Sequence, residues 1–222
     1  MRIANEIAAD AMEHVRGELR PGMTESRGRR AVAGPRPRRG DGSRRQVDLA
    51  LGFSLVWSGP GIRTFTATGD RPVQENEPTL FEIWVCADGY WCDHTKNRLP
   101  GRARAALRRA ARAAARGLRT APSTTSDRAP SSRSSTGSCR EGIDDAGYPG
   151  QPSHPVAHGV GARAHEPPYA HQAGGGTVEA GMVLAIEPGI YWPEGGGLQR
   201  RGQLPRHSRR SREALLLPGR LR

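Results

Sequence analysis

Lysine is almost missing from this chain: Lys96 stands alone against 33 arginines. A nucleic-acid-binding arm normally mixes the two, because the lysine ammonium serves well as a point charge against phosphate. That lack argues against a nucleic-acid partner despite a formal net charge of +12. Aromatic residues make up 5% and hydrophobic residues 35% of the 222 positions, both low for a folded enzyme of this size. Cysteine is scarce too. Cys86, Cys92 and Cys139 form no CxxC pair, and an odd number excludes a closed disulfide framework. No apolar run reaches the ~18 residues of a membrane span, and residues 1–20 lack the continuous apolar core of a signal peptide. These absences lead us to expect a cytoplasmic, reducing setting with no membrane partner.

What is present is unevenly spread. Residues 27–45, 98–140 and 199–222 contain 27 basic and 3 acidic groups, while the rest carries 7 basic and 19 acidic groups and all eleven aromatics. An acidic, aromatic-containing protein is thus interrupted by three arginine-rich blocks. Arg, Ala, Gly, Pro and Ser without a hydrophobic period are what a G+C-rich coding sequence yields when read out of frame. That origin is the expectation for the blocks, with a genuine basic, disordered insert as the alternative. The length allows one domain or two small ones.

Between the blocks the patterning is regular. Ile3, Ile7, Ala8, Met12, Val15 and Leu19 recur at helical steps, and Pro21-Gly22 stops a helix over residues 2–20. Val47, Leu49, Leu51, Phe53, Leu55 and Trp57 alternate as a strand ending at Ser58-Gly59-Pro60. RTFTATG, residues 63–69, reads as a second short β-rich piece. LFEIWVC, residues 80–86, is a buried strand with one carboxylate, and Asp88-Gly89 turns it into YWCDHT, residues 90–95. Arg102 to Arg119 has high helix propensity but only Leu107 and Leu118 as large apolar side chains, so an isolated solvated helix or disorder is expected there. Residues 141–148 read as the end of a helix and Met182 to Ile186 as a strand. No pattern is readable from Gln199 onward.

The chemistry concentrates between His154 and Trp192, with four of the seven histidines, a glycine-flanked HGVG turn, an HEPP step and MVLAIEPG. Glu82 and Asp93 lie on two arms of one hairpin and can face one pocket. For each, a place on a solvated face is the plain alternative; the apolar neighbours of Glu82 argue against it there, because a buried carboxylate needs a partner. His158 lies in a tight glycine-bounded segment with His154 and His165 close by, and Glu187 ends an apolar strand before Pro-Gly. Carboxylates with an imidazole make a mixed O/N site suited to Mn, Co, Fe or Zn.

The order ADGYWCDHTKN, SHPVAHGVGARAHEPP and VEAGMVLAIEPGIYW resembles the pita-bread-fold family of Xaa-Pro aminopeptidases, methionine aminopeptidases and creatinase. ANEIAADAMEHVRGELRPGMTE resembles the first helix of that catalytic domain. The resemblance implies an α+β, incomplete pita-bread catalytic domain over residues 1–198, interrupted by blocks 27–45 and 98–140, with residues 199–222 an aberrant or disordered basic tail. In that family Asp, Asp, His, Glu and Glu hold two divalent metals. Carried over by motif, Asp93 matches the second aspartate, His158 the metal histidine and Glu187 the first glutamate. Glu82 stands at the first aspartate position, eleven before Asp93. His154 and His165 match the histidines that contact substrate.

The departures are specific. Glu82 has one methylene more than an aspartate, the segment Gly59 to Thr68 lacks a further substrate-side histidine, with Phe65 or Thr66 there, and the last glutamate falls where the chain reads LQRRGQLPRHSRR. The implied function is a degenerate or truncated Xaa-Pro aminopeptidase-like metallohydrolase acting on a peptide or small amide, its divalent metal (Mn, Co, Fe or Zn) retained or lost. A homodimer is an allowed assembly. The alternatives are a metal-free creatinase-like amidohydrolase, and a nonspecific basic nucleic-acid binder or inactive remnant. Sequencing the coding DNA across the three blocks tests the frame: a corrected frame should restore acidic, periodic sequence with a glutamate soon after Gly197, whereas confirmation of the chain as written makes the blocks part of the protein.

Overall fold

The apolar stripe at the N-terminus does form a helix, α1 (Arg2–Glu18), and buries Ala4, Ala8, Met12 and Val15 at four- and three-residue steps. The computed structural model describes residues 1–32, 47–62, 66–120, 132–152, 154–170, 177–192 and 196–205. A second helix, α2 (Glu25–Val32), runs into the first arginine block; residues 33–46 of that block lie outside the described residues. Both helices back an antiparallel sheet of β1 (Ala50–Ser58), β2 (Thr79–Ala87) and β3 (Tyr90–Arg98), in that order. Asp88 and Gly89 both take positive φ, as a two-residue hairpin turn between β2 and β3 demands. Phe81, Ile83, Val85 and Cys92 join the core beneath α1. Strand alternation therefore turns Glu82 and Asp93 to the opposite face.

The apolar side of β1 stays largely open at its start, where Leu49, Leu51 and Phe53 are exposed. Of the β-rich piece expected at residues 63–69, residues 63–65 lie outside the described residues, and Thr66 to Gly69 form no strand. Thr68 instead accepts a hydrogen bond from the Val56 N–H at 2.9 Å.

The second half repeats the helix-on-sheet plan. Helices α3 (Ala105–Thr120) and α4 (Ser132–Asp144) are followed by β4 (Ala157–Gly159), β5 (Glu166–Ala170) and β6 (Val183–Ile186). Next come β7 (Gly189–Trp192), β8 (Gly196–Gln199) and β9 (Gly202–Pro205). One antiparallel sheet has the order β5-β4-β6-β9, and β7 pairs with β8 as a hairpin.

Three expectations are corrected here. The arginine-alanine run is helical, but it is a core element: Ala110, Ala111, Ala113 and Ala114 are buried with Cys139, Ile143 and Leu184. Small residues do this because they let two backbones approach. A Cβ on Gly117 would stand 2.8 Å from Ile143 Cγ1 and 3.0 Å from the Cys139 carbonyl oxygen. The HGVG segment is not simply a turn, since His158 and Gly159 belong to β4, paired with β5 on one side and β6 on the other. The chain past Gln199 does have a pattern, because Gly202 to Pro205 pairs with β6 while Arg201 and Gln203 are buried. Residues 206–222 of the expected basic tail lie outside the described residues.

Polar side chains fasten that last segment to the first sheet. Asn5 Nδ2 donates to Gln203 Oε1 at 2.9 Å, Gln203 Nε2 donates to the Asp93 carbonyl at 2.8 Å, and Asn97 Nδ2 donates to the Gln199 carbonyl at 2.5 Å. His94 Nε2–H completes the chain by donating to Asn5 Oδ1 at 2.7 Å.

Two outcomes test this packing. Gly117→Ala should lower stability by about 1–3 kcal/mol in denaturant unfolding, because overpacking the α3–α4 contact outweighs the gain in helix propensity. The second concerns pH. Burial lowers the His94 pKa from 6.5 to about 4, with Lys96 adding a smaller push. The unfolded chain takes up a proton near 6.5, so the stability this group contributes above that pH is lost as pH falls towards 4. Between pH 7 and 4.5 the loss should be on the order of 2 kcal/mol, and His94→Gln should remove it from the stability-pH curve.

Candidate active site

The two sheets meet where four elements each deliver one acidic or imidazole side chain. Register sets Glu82 opposite Leu55 and Thr95, and Asp93 opposite Trp84, so both carboxylates share the face turned from α1. His158 comes from β4. Glu187 follows β6, where its backbone N–H donates to the Val156 carbonyl at 2.8 Å. The Trp91 N–H, donating to the Gly161 carbonyl at 2.8 Å, ties β3 to the loop that carries His165. The structure therefore brings together all of Glu82, Asp93, His158, His165 and Glu187, with His154 at the rim.

At their centre lies a residue that sequence reasoning passed over. Arg201, in the link between β8 and β9, is buried, its side chain only 2% exposed. Its Nη2 is 2.9 Å from Glu82 Oε1 and also donates to Glu187 Oε2, while Nη1 donates to Asp93 Oδ1. Gln199 Nε2 donates to the same Glu187 oxygen at 2.8 Å. The signal was available: Arg201 is four residues after Gly197, in the stretch where the resemblance called for a glutamate. Burial pushes the Glu187 carboxyl well above the usual carboxylate range, and Glu82 adds to that push. Burial also lowers the Arg201 pKa, opposed by Glu82, yet a guanidinium stays charged.

The imidazoles are held as neutral groups. Burial lowers the pKa of His154 and His158, and brings that of His165 down to about 4. His154 Nδ1–H donates to the Pro155 carbonyl at 2.5 Å, so its Nε2 accepts from the Tyr191 hydroxyl at 3.0 Å. His158 Nδ1–H donates to the Gly159 carbonyl at 2.8 Å, and its ring stacks on His165 with centroids 4.0 Å apart. A cavity of about 160 Å³ opens over them, walled by Trp57, Leu80 and Tyr169 beside the histidines. Of the two positions where a further substrate-side histidine was missed, Phe65 lies outside the described residues and Thr66 offers its carbonyl to Trp57 Nε1 at 2.9 Å.

Two metal ions do not fit this arrangement. A metal pair needs the carboxylate oxygens that Arg201 already occupies on Glu82, Asp93 and Glu187. Two divalent ions and a guanidinium would also leave a net positive charge buried against three carboxylates, which desolvation penalises. Among the described residues, the donor atoms that still converge are those of Asp93, His158 and His165, all within 4.8 Å of one another.

A helix-backed double sheet enclosing a carboxylate-imidazole cleft defines the class of pita-bread hydrolase domains. The model of metallopeptidase family M24 matches residues 1–203, and the chain belongs to that family. It is 32% identical over 130 residues to an Xaa-Pro dipeptidase of Lactobacillus delbrueckii subsp. lactis, covering 57% of this chain and 34% of that protein. To a probable dipeptidase PepE of Mycobacterium tuberculosis it is 29% identical over 152 residues, covering 64% and 38%. Dipeptidase PepE from Mycobacterium ulcerans superposes with a TM-score of 0.79 at 23% identity, over 93% of this chain and 54% of that one. Prolidase from Pyrococcus furiosus gives 0.78 at 20% identity, over 95% and 63%. The chain thus spans about a third of these curated relatives and somewhat over half of the solved structures. Among the described residues no helix is long and apolar enough to cross a membrane.

Removing the central cation should be costly. Arg201→Met leaves three buried carboxylates facing one another without their shared cation, and should lower stability at pH 7 by about 3–5 kcal/mol in denaturant unfolding.

Proposed function

We propose that this chain is a peptide-end-binding member of the M24 family in which an arginine-carboxylate cluster stands in place of the two-metal hydrolytic centre. One observation carries the reading: a single buried guanidinium pairs with all three carboxylates of the cleft. The cavity beside it supports the binding part. At about 160 Å³ it is below the roughly 300–1,000 Å³ of drug-sized pockets, and suits the end residue of a peptide or a small amide. Its walls combine the apolar Trp57 and Leu80 with neutral imidazoles able to hydrogen-bond an amide. The relatives named as dipeptidases and an Xaa-Pro dipeptidase point to an Xaa-Pro dipeptide as the first ligand to try.

A metal-free amidohydrolase is the second reading. It is favoured by His165, a neutral imidazole with a third of its side chain exposed, which lines the cavity and can carry a proton.

The test uses the full chain with a panel of Xaa-Pro dipeptides, with and without Mn²⁺ or Co²⁺, and after chelation. Ligand-dependent rise in melting temperature without release of free proline is the expected result. Metal-stimulated release would overturn the proposal, and release that survives chelation would favour the metal-free reading. Arg201→Glu should raise divalent-metal affinity by more than about tenfold, since it exchanges the blocking cation for an acidic donor.

A further inference from the structure

The single lysine of the chain is half-buried in β3, away from the carboxylate cleft. Lys96 stands opposite Phe81 in the ladder, and Phe81 belongs to the core beneath α1. Strand alternation therefore turns Lys96 and Arg98 to the α1 side, away from Asp93. Arg98 has partners there. Its Nη2 donates to the Met12 carbonyl at 3.4 Å and lies 3.6 Å from Glu13 Oε1, while its Nε is buried without a hydrogen bond. Arg16 takes the other Glu13 oxygen at 2.8 Å. Among the described residues no hydrogen bond or ion pair reaches the Lys96 ammonium.

What surrounds Lys96 is more positive charge. Asn97 Nδ2 donates to the Gln199 carbonyl at 2.5 Å, which sets the next residue, Arg200, against this part of β3. The Arg200 N–H donates to the Pro188 carbonyl at 2.9 Å and fixes the link that carries it. Arg119 comes from a third element, the last turn of α3, which packs against β8. Burial lowers the Lys96 pKa, and the charges of Arg200 and Arg98 lower it further. Burial lowers that of Arg200 too, with Arg119 adding to the effect. Like charges gathered out of water are unfavourable unless an anion joins them.

We propose that Lys96, Arg98, Arg119 and Arg200 form a site for a doubly charged oxyanion, either free phosphate or the phosphate group of a small ester. Their chemistry selects this class. Guanidinium forks match the oxygens of a phosphate, and the ammonium adds a point charge with three donors. Two negative charges also offset the cations better than the single charge of a halide. The site is separate from the cleft but adjoins it, because Arg200 stands between Arg201 and Gln199, which donates to Glu187. A bound anion ties β3, α3 and the β8–β9 link together, and so braces the segment that carries Arg201 into the carboxylate cluster.

The test is calorimetric titration of the full chain, in phosphate-free buffer at constant ionic strength, with inorganic phosphate, phenyl phosphate and chloride. One equivalent of phosphate or of the ester should bind and raise the melting temperature. Lys96→Met should weaken that binding by more than about tenfold, and Arg119→Ala, at an exposed helix end, by a smaller factor. Without phosphate, Lys96→Met should melt higher than the unaltered chain, since it removes a cation from among cations. Tighter binding of phenyl phosphate would assign the site to esters; equal or tighter binding of phosphate would assign it to the free ion. An equal response to chloride would mean an adventitious ion only and overturn the proposal. So would an absence of phosphate binding, or binding indifferent to both substitutions.

Discussion

A buried guanidinium among three carboxylates is the constraint on which the rest of this structure depends. Arg201 comes from the link between β8 and β9, Glu82 and Asp93 from the first sheet, and Glu187 from the end of β6. Both sheets must close on one point for these charges to pair. Leaving any of them unpaired away from water would cost several kcal/mol, so the cluster fixes how the sheets sit together more than it adds net stability. The hydrogen-bonded run from His94 through Asn5 and Gln203 to the Asp93 backbone holds Arg201 in place, because it anchors the residues just beyond it on β3.

Two helix-backed sheets provide the rigid frame. Under the first, α1 presents the methionine, valine and alanine side chains that its spacing promises. Behind the second, α3 packs through alanines and Gly117, so its arginines at positions 108, 109 and 112 remain on the solvent side. An arginine-rich helix can therefore be structural when its opposite face is made of small residues. The positive charge of the chain is in part the outer surface of a core element.

An arginine among the carboxylates leaves the cleft beside it open. The cavity retains apolar walls, neutral imidazoles and a tyrosine hydroxyl that donates to His154. Arg201 takes up one oxygen each of Glu82, Asp93 and Glu187.

Much of this was legible in the chain itself. Period-two alternation located β1, an apolar run and the Asp88-Gly89 turn located the β2–β3 hairpin that carries Glu82 and Asp93, helical spacing located α1, and the spaced motifs marked the segments carrying His154, His158, His165 and Glu187. Those features are local: a strand or an amphipathic helix announces its buried face through the order of its own residues. The alanine seam of α3 and the strand β9 were not legible, since alanine has no strong hydropathy and four residues cannot declare a strand without a partner. The sequence by itself determined the family, the strands of the first sheet and the segments that carry the acidic and imidazole side chains. Only the tertiary structure decided that Arg201 is their common partner, because an arginine's surroundings are set by which distant carboxylates the folded sheets bring within reach.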